Sequence, residues 1–435
     1  TIEEDEKLLE SLTGNEELAV RYRLGKKRIL ESVARLPPPA AGGGRRARRG
    51  GDEDVDATPL PSKVAAFNAF VEKLSFPVNY LTAYVVGGAQ RVGTKATRDI
   101  VKGEPYITVP DKAVMSSDTA ETDSGDVNEL IAKGKSMNDD YHTLLFFVMY
   151  ERFVKRASSF WWPYLSLLPT LGDYEDYHPM FMDEERLEGL LGSSVREKII
   201  ANQNKAKRNF QAVSADVAVG AALGPAFNED NYMWASTVLD SRSIWWSGKR
   251  HLVPLLDLIN CKEGPPGSTV HSTDLDGSGD NAVTLAPWSF REGEQVYENY
   301  GQPNYIYFLY HGFVLEENSH DCSLIQASIG QGDPGAQDMK RLKMRMQMDN
   351  FNSYNMDFCV SRDNVEEQVG RMREFLAIKM GVNEATDDDV RRHLEGQLKR
   401  YPETDEGEGA DYTERCMREI VEGEKAALKM CLDFL

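Results

Sequence analysis

Three short segments carry residue types that could do chemistry together. The first is Gln90-Arg91-Val92-Gly93-Thr94-Lys95-Ala96. It reads as a strand with a glycine inside it, and such a glycine lets a ligand approach the backbone closely; an ordinary β-turn is the alternative. The second runs from Ser241-Arg242-Ser243 to Leu252-Val253-Pro254-Leu255-Leu256-Asp257-Leu258-Ile259-Asn260-Cys261. An apolar strand ending in Asp257 and Asn260 sets two polar groups at the edge of the core. Buried polar groups need partners, so these two either cap the chain locally or hold a ligand. The third is Phe290-Arg291-Glu292-Gly293-Glu294-Gln295-Val296-Tyr297-Glu298-Asn299-Tyr300-Gly301-Gln302-Pro303-Asn304, continuing to Leu309-Tyr310-His311-Gly312-Phe313-Val314. A tyrosine directly before a glycine at a strand end can present its hydroxyl into a pocket; a packed tyrosine is the alternative.

Strands and helices must bring these segments together. Strand-like runs cover Thr82–Val86, Gln90–Ala96, Tyr106–Val109, Leu252–Ile259, Ala282–Ala286 and Gln295–Tyr300. Helical patterns cover about Val127–Val154, 183–217 and 229–240, and Glu263–Asp280, rich in Gly, Pro, Ser and Asp, reads as a long loop. The last hundred residues read as helical. There Val365, Val369, Met372 and Leu376 share one face, Gly381 is placed as a C-cap, and Thr386/Asp389 and Asp411/Glu414 resemble capping boxes. Residues 5–35 also read as helical, followed by a Pro/Gly-rich linker containing Arg45-Arg46-Ala47-Arg48-Arg49.

At 435 residues the chain is long enough for two or three domains, and 41% apolar content suffices for real cores. A net charge of −20 argues against nucleic-acid binding through the bulk surface, because phosphate recognition needs a basic face; the arginine run reads as a solvated patch. The longest apolar run, Leu144–Tyr150, is far shorter than a membrane span. The five cysteines are widely spaced with no CxxC, which suggests no zinc site, no disulfide framework and a reducing compartment. The acidic start is unlike a targeting peptide and could be what remains after one is removed.

Taken in order, the segments resemble the SET-domain family, and within it the branch containing the Rubisco large-subunit methyltransferase and the actin-histidine methyltransferase. Gly93, then Asp257 to Asn260, then Gly293-Glu294-Gln295-Val296 and Tyr300-Gly301 carry the resemblance, over about residues 64–435. It implies an α+β chain with these parts: an N-terminal helical extension (1–36), a flexible linker (37–63), a SET-domain β-fold (64–315) with a helical insertion (about 127–240), and an all-α C-terminal domain of substrate-binding type (316–435). It implies S-adenosyl-L-methionine as cofactor and protein lysine as substrate, with no metal. Gln90, Arg91 and Val92 would contact the cofactor through their backbones, and Arg242 would pair with its carboxylate. Asn260 and Cys261 would lie beside its adenine and amino-acid portions. Tyr300 would stand at the methyl-transfer site, and Asp257 near the substrate channel. The chemistry is an in-line displacement from a sulfonium to a nitrogen lone pair. A free lysine, with a pKa of about 10.4, must first be deprotonated, which desolvation and a nearby cation promote. Alignment can supply about 7–11 kcal/mol of the barrier.

The chain departs from the family pattern in three places. The family motif ends Asn-His, whereas here Cys261 follows Asn260, and a thiol is a poor donor. His311 stands where relatives often carry tyrosine, and the loop Glu263–Asp280 does not align. The acidic N-terminal extension and the run Glu298–Asn304 look similar to SET proteins associated with the plastid-encoded RNA polymerase of chloroplast nucleoids. That likeness implies a stroma-facing assembly partner. Four readings therefore stand: a lysine methyltransferase, a histidine methyltransferase, a weakly active or inactive accessory subunit of a plastid transcription complex, and an acidic scaffold with no ligand.

Overall fold

The computed structural model describes residues 56–122, 139–330, 332–338, 355–402 and 411–435. The helix expected over 5–35, the linker arginines and the start of the helical block near Val127 lie outside the described residues. The chain divides into two units, Thr1–Ala66 and Phe67–Leu435. In the first, the Asp56 carboxylate accepts from the Thr58 amide at 3.1 Å and pairs with Lys63 at 3.2 Å. Helix α1 (Leu60–Leu74) opens there; it carries Phe67, Phe70, Val71 and Leu74, which the sequence pattern places on a short helix, and only its first residues fall in the segment expected to be linker.

The described strands all belong to the second unit. One sheet has the order β1 (Val78–Asn79), β4 (Pro105–Pro110), β9 (Asn281–Leu285), β8 (Thr273–Leu275). The other has the order β2 (Leu81–Gly87), β3 (Arg91–Ala96), β10 (Gln295–Glu298), β7 (Asn260–Cys261). A hairpin of β5 (Ile244–Trp246) and β6 (Lys249–His251) stands apart from both. Most expected strands are present with shifted ends, but Leu252–Ile259 is not a strand. Leu252 makes one bridge to Met115, Pro254 has no N–H to donate, and Leu255 adopts a left-handed φ of 77°. A 3₁₀ turn over Leu256–Leu258 follows, and only Asn260–Cys261 enters a sheet. Leu252, Val253, Leu255 and Leu256 are all buried, and a continuous apolar run does not distinguish a buried turn from a buried strand.

Between the sheet segments lie α2 (Asp140–Met149), α3 (Leu171–Tyr177), α4 (Ser194–Val213) and α5 (Glu229–Arg242). Helix α3 starts with a capping box in which Thr170 and Asp173 exchange hydrogen bonds, and α5 is capped by Asn228. Helix α6 (Asn304–His311) follows β10 and ends at Gly312 in the left-handed conformation.

The C-terminal region is helical as expected: α7 (Val365–Met380), α8 (Asp387–Leu398) and α9 (Tyr412–Phe434). Gly381 caps α7, and both predicted capping boxes form. The region is not all-α as expected, because it also contains an antiparallel pair, β11 (Ser323–Ser328) and β12 (Asn355–Val360). Phe358, Phe375, Leu394 and Leu428 lie in its core, while Met417 and Ile420 of α9 pack with Ile199 and Phe308. The pairing of β11 with β12 brings Cys322 and Cys359, 37 residues apart in sequence, to a Cα separation of 5.2 Å, where they form a disulfide. This corrects the expectation of no disulfide. The strand register closes the distance, and nothing in the cysteine spacing signals it.

Candidate active site

Strand β10 sits between β3 and β7, antiparallel to the first (Val296 opposite Thr94) and parallel to the second (Tyr297 opposite Asn260). This arrangement sets the ends of all three sequence segments around one cavity of about 190 Å³. Every predicted site residue except Arg91 lines it. Asn260 donates from Nδ2 to the Val92 carbonyl at 3.3 Å. A Cβ on Gly93 would lie 2.7 Å from that same Nδ2 and 2.9 Å from Val86. Gly93 therefore makes room for the Asn260 side chain, which ties β7 to β3.

Arg242, the last residue of α5, donates from Nη1 to the Asp257 carbonyl at 3.1 Å and lies 3.4 Å from Asp257 Oδ2. The Tyr164 hydroxyl donates to the same Oδ2 at 2.7 Å. The Asp257 side chain is fully buried. Burial pushes its carboxyl pKa up against the pull of Arg242, and the Asp257 charge together with nearby tyrosines holds the Arg242 guanidinium above its ordinary range despite burial. Four buried polar atoms here have no hydrogen-bond partner: Arg242 Nε, Asp257 Oδ1, Tyr174 Oη and Arg91 Nε. Each such group costs about 1–3 kcal/mol if left unmade.

Arg91 has a left-handed φ of 54°, uncommon for a residue with a side chain. Its guanidinium pairs with Asp173, the capping-box acid of α3, within electrostatic reach of Tyr174, Tyr177 and Arg242 of the cavity wall. Tyr300 donates its hydroxyl proton to the Ile259 carbonyl at 2.6 Å. Burial, reinforced by Cys261 and Glu298, holds its pKa well above the ordinary tyrosine value. Burial also pushes the Cys261 thiol up to about 11. It pulls His178 down to about 4 and His311 to about 3. His178 accepts from the Met180 amide on Nδ1, so Nε2 carries the proton and donates to the Tyr310 carbonyl at 2.9 Å.

The sequence reading did not find Tyr174, Tyr177 and His178, nor Leu315 and Tyr412, all of which line the cavity, whereas Gly312, Phe313 and Val314 continue its third segment. A signal for the first three exists: the dense aromatic run Tyr174–Phe181 directly behind the Thr170/Asp173 cap. A Cβ on Gly312 would lie 2.8 Å from the Tyr177 ring, so this wall is closely packed.

Two solved structures share this architecture. One is the SET domain of LSMT bound to lysine and AdoHcy, with a TM-score of 0.66, 20% identity, and coverage of 86% of this chain and 90% of that one. The other is Rubisco LSMT bound to AdoMet, with a TM-score of 0.64, 18% identity, and 87% and 91% coverage. The chain has a SET-domain fold. In sequence the chain is 26% identical over 254 residues to actin-histidine N-methyltransferases from Danio rerio and Homo sapiens, which is 55% of this chain. It spans about 40% of the length of those curated relatives. No family model matches.

Proposed function

We propose that this SET chain is an S-adenosylmethionine-dependent protein methyltransferase acting on a lysine side chain. The observation that carries the reading is the set of buried, unpartnered groups around the cavity, Arg242 Nε and Tyr174 Oη above all. A guanidinium N–H beside a tyrosine hydroxyl suits a carboxylate, and a zwitterionic amino-acid moiety supplies one. Gln90 and Val92 would add backbone contacts, with Asn260 and Cys261 beside the rest of the molecule. When bound, S-adenosylmethionine supplies a methyl group on a sulfonium.

The remaining work falls to the chain's own residues. Tyr300 has its proton tied to Ile259, so it offers lone pairs to an incoming amine. His178 and His311 stay neutral near pH 7 and add no competing cation. The buried Arg242 charge, together with exclusion of water, favours the free amine over the ammonium. Asp257, held by Arg242 and Tyr164, orients the guanidinium. The solved neighbours bind lysine, AdoHcy or AdoMet, which supports this assignment. The named actin-histidine enzymes keep histidine open as the acceptor.

Cys261 favours a second reading. It stands where the family carries histidine, and its thiol stays protonated at neutral pH. An accessory, weakly active subunit of a plastid transcription complex in the chloroplast stroma or nucleoid would tolerate that. Calorimetric titration of S-adenosylmethionine into the wild type, Tyr300→Phe and Cys261→His, paired with transfer of labelled methyl to proteins of a cell extract, tests both readings. Micromolar binding by the wild type, with Tyr300→Phe binding equally but transferring nothing, is the expected result. No binding by the wild type overturns the enzyme reading. Transfer gained only in Cys261→His selects the accessory one.

A further inference from the structure

The segment Glu263–Asp280, expected to be a loop but carrying β8, does not align with the family pattern and grips the turn that carries Tyr300 from both sides. On one side, Glu263 Oε2 accepts from Asn299 Nδ2 at 3.0 Å and from the Ser319 amide at 3.2 Å. On the other, the His271 amide donates to the Asn299 carbonyl at 2.7 Å, and His271 Nδ1 donates to Glu298 Oε2 at 2.7 Å. Glu298 is buried, and its second oxygen accepts from the Tyr106 hydroxyl. Asn299 Oδ1 accepts from the Gly301 amide at 2.8 Å. Gly301 has a φ of 68°, and Val270 of the loop lies 3.0 Å from where its Cβ would be. The residues immediately before and after Tyr300 are thus held by Glu263, Val270 and His271.

We infer that His271 is a positioning residue for Tyr300: through Glu298 and Asn299 it clamps the turn, and the clamp holds while the imidazole is protonated. The surroundings of His271 suit the cation. Nδ1 faces the Glu298 carboxylate of β10, and Nε2 lies 3.0 Å from Thr273 Oγ1 of β8, which bonds Thr284 of β9 at 2.7 Å. Tyr106 of β4, Cys261 of β7 and Tyr300 are the other titratable groups around Glu298, and burial holds all three above their ordinary values, so they stay neutral near pH 7. Glu298 outweighs burial and raises the His271 pKa above its ordinary value. Loss of the proton forces Nε2 from donor to acceptor, requires Thr273 to reverse, and leaves a buried Glu298 with no cation. A histidine with a raised folded pKa contributes fully at low pH and loses its contribution as pH rises through that pKa, here from above about 6.5.

The consequence for ligand binding rests on the reading of Tyr300 given above; the clamp itself does not. The full chain and His271→Gln are titrated with S-adenosylmethionine across about pH 6 to 9. The ligand's own α-amine, near about 7.7–8.0, affects both chains alike and cancels in the comparison. Wild-type affinity is expected to fall severalfold more than that of the variant over this range. In parallel, ring-labelled tyrosine NMR follows the Tyr300 resonance, assigned by its loss in Tyr300→Phe. It is expected to titrate with His271 in the wild type and to sit near its high-pH position in His271→Gln. A Tyr300 resonance indifferent to pH overturns the clamp, even if His271→Gln does not fold. Absence of ligand binding at every pH instead removes the methyl-transfer reading and leaves the resonance to decide.

Discussion

Two buried carboxylates, one at the cavity and one in the C-terminal helices, are handled in opposite ways. Asp257 has a guanidinium against it and a tyrosine hydroxyl on the same oxygen. Glu424, on α9 and equally buried, accepts from the Tyr401 hydroxyl at 3.0 Å, and among the described residues no cation pairs with it. Burial, opposed by hydrogen bonds from Ser193 and Tyr401, pushes its pKa up to about 7. One acid is held beside a charge, as a site for a charged ligand requires. The other can be neutral, as an interior packing helices together requires. The contrast separates a carboxylate paired with a cation from one held by neutral donors.

The largest effect should come from breaking the first pair. Arg242→Ala leaves Asp257 buried without its cation and should cost about 3–5 kcal/mol of unfolding free energy near pH 7, measured by denaturant titration. A loss below about 1 kcal/mol would mean that Asp257 is already neutral, which would erase the contrast with Glu424.

The second pair of measurements sharpens it. Glu424 binds its proton more tightly folded than unfolded, so stability should fall as pH rises from about 4.5 through about 7. The full span is about 3 kcal/mol. Glu424→Gln should flatten that slope and be neutral or stabilising above pH 7. An unchanged slope would place the titration elsewhere.

The smallest effect tests the packing at the cavity. Gly93→Ala pushes a methyl into Asn260 and Val86, and overpacking of this kind costs about 1–3 kcal/mol. S-adenosylmethionine affinity should fall with it, because Asn260 is displaced. If stability drops while affinity holds, Asn260 is a strut between β3 and β7 with no part in binding.

Much of the C-terminal region was legible in the sequence. Gly381, Thr386/Asp389 and Asp411/Glu414 act within one helical turn of themselves, and such signals need no knowledge of the rest of the chain. The cavity residues were legible for a different reason. Gln90, Val92, Arg242, Asn260 and Tyr300 belong to segments whose order and resemblance suggested a common site. Their partners were not legible: Tyr164 beneath Asp257, Asp173 holding Arg91, and His271 on Glu298.

The sequence by itself determined the caps of the C-terminal helices, which residue types could meet a ligand, and that the chain is α+β. Only the tertiary structure decided that Leu252–Ile259 is a buried turn, that Cys322 reaches Cys359, and that Arg91 pairs with Asp173 while Tyr174 and Tyr177 line the cavity. The physical reason is range. Caps and periodicity are set by neighbours a few residues apart, whereas the pairing of buried charges and cysteines depends on which strands lie side by side. That choice belongs to the whole core.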